Sequence, residues 1–373
     1  MRCHILPPYL LARLTEVEED EVVQTAQRTL EHDQGFRLRR ETFTERGRGD
    51  HRPLLPGAPP QAGEALRRPP TPTAPAPAPT TVAVRREIHD AQGTTTLPGE
   101  LVRAEGAPAT DDVSATEAYD GLGDTWTLYH SAFGRDSLDG KGLLLVATVH
   151  YDQRYDNAFW DGEQMVFGDG DGTYFTRFTA AKDVIGHELT HGVTQFTAGL
   201  TYVAQSGALN ESVSDCFGSM VKQQALGQDV TQADWLIGQG LFTDRVQGVA
   251  LRSMKAPGTA YDDPHLGKDP QPADMDGYDD LPHDQAHDNG GVHTNSGIPN
   301  RAFYLACTGI GGNSWEGAGP VWYDVLTGGR LAKDAQFADF ARLTVEAAGA
   351  RFGAGSREES AVQEAWTTVK VLT

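Results

Sequence analysis

The sequence predicts an α+β protein of two lobes, the first rich in strands and the second helical, with a small separate unit ahead of them. Three observations predict it. Residues 85–179 carry strand patterns, above all the β-branched run Leu143-Leu-Leu-Val-Ala-Thr-Val-His-Tyr151. Residues 299–371 carry four apolar-periodic stretches of helical spacing. Between 46 and 80 the chain turns proline-rich, with ten of its 21 prolines between Pro53 and Pro79. Such a segment reads as a semi-rigid or disordered linker, open to proteolysis, and not as packed core.

The 373 residues are 39% hydrophobic, enough for a sizeable core and more than one lobe. Cys3, Cys216 and Cys307 lie too far apart to suggest a disulfide framework, and the last two sit in apolar contexts that suit buried thiols. No run approaches 18 apolar residues, so no membrane span is expected. Met1–Tyr9 lacks a basic stretch followed by an apolar one, so a standard secretory signal is not visible. That pattern fits a cytoplasmic precursor or export by another route. The net charge is −21, and the first 80 residues hold 11 basic and 11 acidic side chains, so the whole excess lies beyond them. An acidic body of this kind repels nucleic acid and anionic membrane surfaces.

In chain order, Arg2–Leu11 reads as apolar and extended, because each proline restricts the residue before it. An acidic helical run follows over Thr15–Glu31. The boundaries expected are 1–50 for the leading unit, 51–82 for the linker, 83–195 for the β-rich lobe and 196–373 for the helical lobe. Within the β-rich lobe, Asp124–His130 fits strand or helix by periodicity alone. Gly168-Asp-Gly-Asp-Gly172 reads as a tight turn, short of ligands for Ca²⁺. In the helical lobe, Pro299–Thr308, Gly319–Leu326, Ala335–Ala348 and Ser356–Val371 read as helices, after a loop-rich stretch over 247–291.

Where the lobes meet, Asp183–Gln195 contains His187-Glu188-Leu-Thr-His191 in an amphipathic run without proline. Two histidines four apart on a helix leave the same face and can share one metal ion, for which neutral imidazole suits Zn²⁺. Glu188 follows His187 directly, placed to take a proton from a zinc-bound water. A catalytic zinc needs a third protein ligand and an open position. Twenty residues on, Glu211 stands in Gly207-Ala-Leu-Asn210-Glu211-Ser-Val-Ser-Asp215, which reads as the first turn of a second helix. Asp215 shares its face. Asp215 and Asn210 are the right types to accept the other N–H of each ligating histidine. The plain alternative, a helix start enriched in acids for dipole reasons, explains Glu211 and Asp215 but not their spacing behind the histidine pair.

These motifs, with Asn157-Ala-Phe-Trp160, Tyr202, Leu251-Arg-Ser-Met254 and Asp288-Asn-Gly-Gly-Val-His293-Thr-Asn-Ser-Gly297 in one order, resemble the thermolysin (M4) family of zinc metallopeptidases from about Glu87 to the C-terminus. Pro7-Pro8-Tyr9-Leu10 is similar to the Pro-Pro-x-Leu hallmark of the short propeptide in the protealysin-like subgroup. The resemblance implies a thermolysin-like fold with the zinc helix in the cleft between the lobes. It also implies a secreted, self-processing precursor whose propeptide covers that cleft. The expected activity is endopeptidase cleavage before hydrophobic residues, with peptides, proteins and its own propeptide as partners and a monomer as the working unit. By position, His293 and Tyr202 would donate to the oxyanion and Asp288 would orient His293. Asn157 and the Ala158 carbonyl would bind the substrate backbone as an added strand does. Phe175, Phe178, Val184 and Leu251 would line the specificity pocket, narrowed by Phe178, with Arg252 holding a substrate carbonyl. Cys3 offers a thiolate that would block the zinc's open position in the precursor.

The chain departs from the family where thermolysin-like enzymes often hold paired Ca²⁺. Asp183 and Asp234 match that site, but Lys222, Leu236 and Gln239 stand where acids would be. The Lys222 ammonium would take a calcium's place, so weak calcium dependence is expected. Two other classes are weighed. An inactive module on the same fold is opposed by the full set Glu188, Tyr202 and His293. An aminopeptidase would need an acidic cluster for a free amine, and no Gly-x-Met-Glu-Asn type motif is present.

Overall fold

The computed structural model describes residues 3–46 and 82–373, without the side chains of Cys3 and 34–46. The expected linker lies almost wholly outside the described residues.

The N-terminal unit opens with β1 (Cys3–His4), followed by α1 (Pro8–Leu14) and α2 (Asp20–Arg46). The extended reading of Arg2–Leu11 holds only to Pro7. Pro8 occupies the first helical position, where a missing N–H costs nothing and a fixed φ favours the helix. The acidic helix likewise starts later than expected, at Asp20, because residues 15–18 form turns between the two helices. Leu10, Leu11 and Leu14 of α1 are buried and join the main apolar core with Val22 and Ala26 of α2.

The β-rich lobe holds β2 (Arg86–Asp90), β3 (Glu100–Ala104), α3 (Val113–Phe133), β4 (Leu145–Val149), β5 (Ala158–Trp160) and β6 (Met165–Phe167). With β1 they form one six-stranded sheet in the order β1-β5-β6-β4-β2-β3. The strands β2, β4 and β6 run parallel, and the outer pairings are antiparallel. The Asp124–His130 segment is helical, within α3, capped by the Asp112 side chain at its start and by left-handed Gly134 at its end. The Gly168–Gly172 turn has positive φ at Gly170 and Gly172, and Asp171 Oδ1 accepts the N–H groups of Thr173, Tyr174 and Phe175.

Two helices cross the floor between the lobes, α4 (Lys182–Phe196) and α5 (Ala204–Leu226). They pack closely because Gly218 has no side chain. A Cβ there would lie 2.3 Å from the Asp183 carbonyl oxygen. Beyond them follow α6 (Asp288–Asn295), α7 (Gly297–Ile310), α8 (Ala318–Thr327), α9 (Phe337–Phe352) and α10 (Arg357–Thr368). The last four match the four periodic stretches within a few residues. The 247–291 stretch holds two-residue strands and single 3-10 turns up to His287, and the start of α6 from Asp288. Cys216 and Cys307 are free and buried. No helix among the described residues is long and apolar enough to cross a membrane.

Two polar clusters brace the β-rich side and the floor. His150 bridges Asp169, at 2.8 Å from Nδ1, and Asp112, at 2.9 Å from Nε2. The hydrogen bond to Asp169 is the main reason its imidazolium is pushed up to about 9 from 6.5, against burial. Burial opposes charge on Asp112, but His150 outweighs it and lowers that carboxyl below 3.8. A raised histidine contributes fully below its unfolded value and fades as pH rises through its folded one. The carboxylate side of the pair fades as pH falls below 4. His150→Asn is therefore expected to cost about 1–2 kcal/mol near pH 6, after discounting the half-exposed Asp169. That gap in urea denaturation should shrink by pH 9.5; a gap that widened with pH would contradict the assignment.

On the floor, Lys222 Nζ lies 3.2 Å from Asp183 Oδ2, 2.8 Å from Asp234 Oδ2 and 3.4 Å from the Leu236 carbonyl. One ammonium thus meets both carboxylates, Asp183 and Asp234, that the sequence reading weighs as a calcium site. The melting temperature is expected to move by less than about 2 °C on adding millimolar Ca²⁺, since an ion binding weakly to the folded state shifts stability little. A rise of 10 °C would contradict this.

Candidate active site

The site assembles on α4, α5 and the turn into α6. His187 and His191 are buried and present their Nε2 atoms 3.0 Å apart. Glu211 comes from α5, and its carboxylate lies 3.4 Å from His187 Nε2 and 3.5 Å from His191 Nε2. Contrary to the sequence reading, Glu211 is not in the first turn of its helix. That helix starts at Ala204 after Val203, which offers no side-chain cap, so Glu211 stands two turns in.

The other ring nitrogens are held from behind. His187 Nδ1 lies 2.7 Å from Asp215 Oδ1, and His191 Nδ1 lies 2.8 Å from Asn210 Oδ1 and 3.0 Å from Ser214 Oγ. An acceptor on each Nδ1 directs the Nε2 lone pairs at each other. Two such lone pairs 3.0 Å apart require a positive charge near them. A proton meets this need in part: burial opposes it on His187, but Asp215 and Glu211 raise that ring to about 9, while burial lowers His191 to about 3. A metal ion serves better. Ligands at tetrahedral corners about 2.0–2.1 Å from one Zn²⁺ lie roughly 3.3 Å from one another, and the three edges here are 3.0–3.5 Å. The residues present therefore fit zinc. A Glu188 oxygen also falls within 4.8 Å of both imidazoles.

Asp215 is the hub of the support. Besides His187 it accepts from Arg252, at 2.9 Å from Nε and 2.8 Å from Nη2, and from Asn300 Nδ2 at 2.8 Å. Burial works against its charge, yet Arg252 and His187 overcome it and hold the carboxyl at about 2. Glu211 is likewise kept well below the usual range by His293, His187 and His191, against burial. Glu188 behaves in the opposite way: burial pushes it well above the carboxylate range. Its Oε2 accepts the Trp160 N–H at 3.0 Å, and its buried Oε1 has no partner among the described residues.

On the far wall, His293 Nδ1 lies 2.7 Å from Asp288 Oδ1, and its own N–H donates to Asp288 Oδ2 at 2.8 Å. Burial opposes a charge on His293, but Asp288 and then Glu211 raise it. Four consecutive residues, Asp288 to Gly291, have positive φ, which the two glycines make affordable. This turn brings Asp288 back onto the histidine five residues later. The Tyr202 hydroxyl donates to Glu211 Oε1 and stands 3.3 Å from His293 Nε2.

The N-terminal unit fills the groove beside these groups. Its strand β1 pairs antiparallel with β5 and so forms the edge of the sheet. Leu6 N donates to Asn157 Oδ1 at 3.0 Å, and Ile5 N donates to the Ala158 carbonyl at 3.2 Å. Phe175, Phe178, Val184 and Leu251 are buried in one cluster that also contains Ile5. Pro7 precedes α1 and Pro8 begins it, while Tyr9 and Leu10 pack with the core. The Cys3 side chain lies outside the described residues, so its expected thiolate role has no geometry here.

The sequence reading missed three participants. Asn300 supports Asp215 from 85 residues away, and nothing in its helix marks it out. The Trp160 N–H is a backbone group. Asp33 of α2 accepts from the Tyr155 hydroxyl and from Asn157 Nδ2, at 2.9 Å, and lies 3.3 Å from His4 Nδ1. It orients the Asn157 amide so that Oδ1 faces Leu6. Asp33→Ala is expected to remove about 1.5–3 kcal/mol from the hold on the groove. The uncut chain should then show at least about 10-fold more residual peptidase activity; unchanged activity would contradict this.

Residues 80–195 match the family model described as thermolysin metallopeptidase, catalytic domain, and residues 198–371 the one described as thermolysin metallopeptidase, alpha-helical domain. The chain belongs to the thermolysin (M4) family of metallopeptidases. This M4 chain is 49% identical to an extracellular metalloprotease of Pectobacterium carotovorum subsp. carotovorum, over 99% of the chain and 96% of the relative. It is 51% identical to protease PrtS of Photorhabdus sp. (strain Az29), over 77% of the chain and 76% of the relative. Among solved structures it is similar to the precursor of protealysin, a metalloproteinase from Serratia proteamaculans, with a TM-score of 0.83, 48% identity and coverage of 99% of this chain and 100% of that one. M4 enzymes are zinc-dependent metalloendopeptidases, and this one is a protealysin-like precursor with the thermolysin-like two-lobed fold.

Proposed function

We propose that the chain is a latent, secreted endopeptidase that binds one zinc ion through His187, His191 and Glu211 and cuts before hydrophobic residues. The observation that carries this reading is the triangle of donors, two imidazole nitrogens and one carboxylate, with edges of 3.0–3.5 Å. When bound there, zinc supplies a Lewis acid that polarises the scissile carbonyl and acidifies a water.

The chain's own residues do the rest. Glu188 takes the water's proton and passes it to the leaving amine, and burial, which raises its carboxyl, favours the protonated form between the two transfers. His293 and Tyr202 donate to the oxyanion of the tetrahedral intermediate. Asp288 holds His293 in place and favours its charge. Asp215 and Asn210 fix the tautomers of His187 and His191. Asn157 and the Ala158 carbonyl bind the substrate as an added strand, and Arg252 holds the carbonyl of the residue after the cut. Phe175, Phe178, Val184 and Leu251 form the pocket for that residue. One methylene is worth only about 1–3 kcal/mol in such a pocket, so selection among apolar residues is broad.

Residues 1–50 act as the propeptide, with Pro7, Pro8, Tyr9 and Leu10 as its docking motif, and 51–82 as the linker to be cut. The catalytic body is 83–195 with 196–373, working as a monomer. The relative named an extracellular metalloprotease supports secretion. Calcium has a minor part at most. The test is hydrolysis of blocked peptides by the processed protein. Cleavage before Leu, Ile or Phe that disappears with a zinc chelator and returns with zinc supports the reading. Cleavage that survives chelation, or that requires a free N-terminus, overturns it.

A further inference from the structure

The strand in the groove can be read atom by atom, and the inference drawn from it rests on the peptidase reading above. Leu6 N donates to Asn157 Oδ1 at 3.0 Å and Ile5 N to the Ala158 carbonyl at 3.2 Å. The Ile5 carbonyl accepts from Arg252 Nη1 at 3.1 Å. One residue earlier, the His4 carbonyl oxygen accepts from His293 Nε2 at 2.9 Å. The groups assigned to a substrate backbone are thus engaged by consecutive residues in one direction. The donor assigned to the oxyanion meets the carbonyl of His4. The arginine assigned to the following carbonyl meets that of Ile5. The peptide bond at the reacting position is therefore His4–Ile5.

The side chains agree with this register. Ile5 is fully buried and belongs to the main apolar core, so an aliphatic residue follows the bond, the type the pocket takes. Glu188 accepts from the N–H of Trp160, the strand partner of Cys3, and its Oε1 has no partner among the described residues. The proposed base thus holds the strand that β1 pairs with, and keeps one oxygen uncommitted.

We propose that the chain cuts its own His4–Ile5 bond: its propeptide is a slowly hydrolysed substrate and not only a plug. The carbon–nitrogen bond between His4 and Ile5 breaks, and the oxygen of one water bonds to the His4 carbonyl carbon. His4 becomes a carboxylate. Both protons of the water end on the Ile5 nitrogen, which leaves as an ammonium. Two features make the step slow. His4 and Ile5 are fully buried, which limits entry of water. The new amine is also anchored by α1 and α2, so it stays beside the carboxylate and favours re-formation of the bond. On the other side the segment ending at His4 is held by β1 and by His4 itself, whose ring lies 3.3 Å from Asp33 and whose carbonyl meets His293, so its release follows the cut. The propeptide then loses its contact with His293.

The test follows the zinc-loaded full-length chain by intact mass and N-terminal sequencing. The expected result is a new terminus at Ile5, appearing in the wild type and absent from Glu188→Ala and from Ile5→Asp. A second readout needs no metal. In the zinc-free precursor the Ile5 and Leu6 amides should exchange at least about 100-fold more slowly than in an unfolded peptide, and Ile5→Asp should abolish that protection. The proposal is overturned if the processed protein cuts an outside peptide before a hydrophobic residue while the segment ending at His4 is never released. It is also overturned if those two amides exchange freely; the peptidase reading stands in both cases. If neither the outside peptide nor the precursor is cut, the peptidase reading falls and takes this one with it.

Discussion

Replacing Glu188 by alanine is expected to lower peptide hydrolysis on the order of 10³-fold while zinc stays bound. The two properties separate because of where the carboxylate sits. Its Oε2 is tied to the Trp160 N–H, and its Oε1 faces no partner among the described residues. The third metal donor is instead Glu211, whose oxygens lie 3.4 and 3.5 Å from the two imidazole nitrogens. Removing Glu188 therefore takes away the proton acceptor and leaves the donor triangle intact. The loss should appear in kcat, with KM changed little, because the carboxylate acts on the water and not on the substrate backbone. A variant that kept a tenth of the activity, or lost its zinc, would contradict this division of labour.

Replacing Arg252 by methionine is expected to cost about 3–5 kcal/mol of stability. Arg252 is buried and makes two hydrogen bonds to the fully buried Asp215. Methionine keeps most of the volume, so the loss comes from the carboxylate left with only His187 and Asn300. Burial would then act on Asp215 with its main opposing charge removed. The effect is best measured by urea denaturation in the Glu188→Ala background, where self-digestion does not interfere. Asp215→Asn should recover part of the loss in the double variant, since the unpaired charge is what costs. A loss below about 1 kcal/mol would show that Asp215 is satisfied without the arginine. The same substitution removes the partner of the Ile5 carbonyl, so the groove should also bind its propeptide more weakly.

Much of this site was legible because its chemistry is local. His187 and His191 share a helical face by spacing alone, and Asp288 reaches His293 across five residues. The helical lobe was legible through its periodicity. Three readings went wrong at helix starts, the acidic helix at Asp20 among them. Pro8 looked like part of an extended run, yet a proline suits the first helical position as well as it suits extended chain. The helix carrying Glu211 begins without a capping side chain at Val203, so nothing announced its first three residues. The remainder depends on contacts between distant residues. Asp33 meets Asn157 across 124 residues and Asn300 meets Asp215 across 85, and no pattern near either residue encodes the encounter. The substrate-like register of His4 and Ile5 likewise exists only once β1 lies on β5.

The most direct test of the central claim is a competition titration of zinc against the full-length protein, Glu188→Ala and Glu211→Ala. The expected result is one zinc per chain in the wild type, unchanged affinity in Glu188→Ala, and at least about 100-fold weaker binding in Glu211→Ala. Equal affinity in all three proteins, or loss of zinc from Glu188→Ala alone, would contradict the assignment of His187, His191 and Glu211 as the metal-binding set.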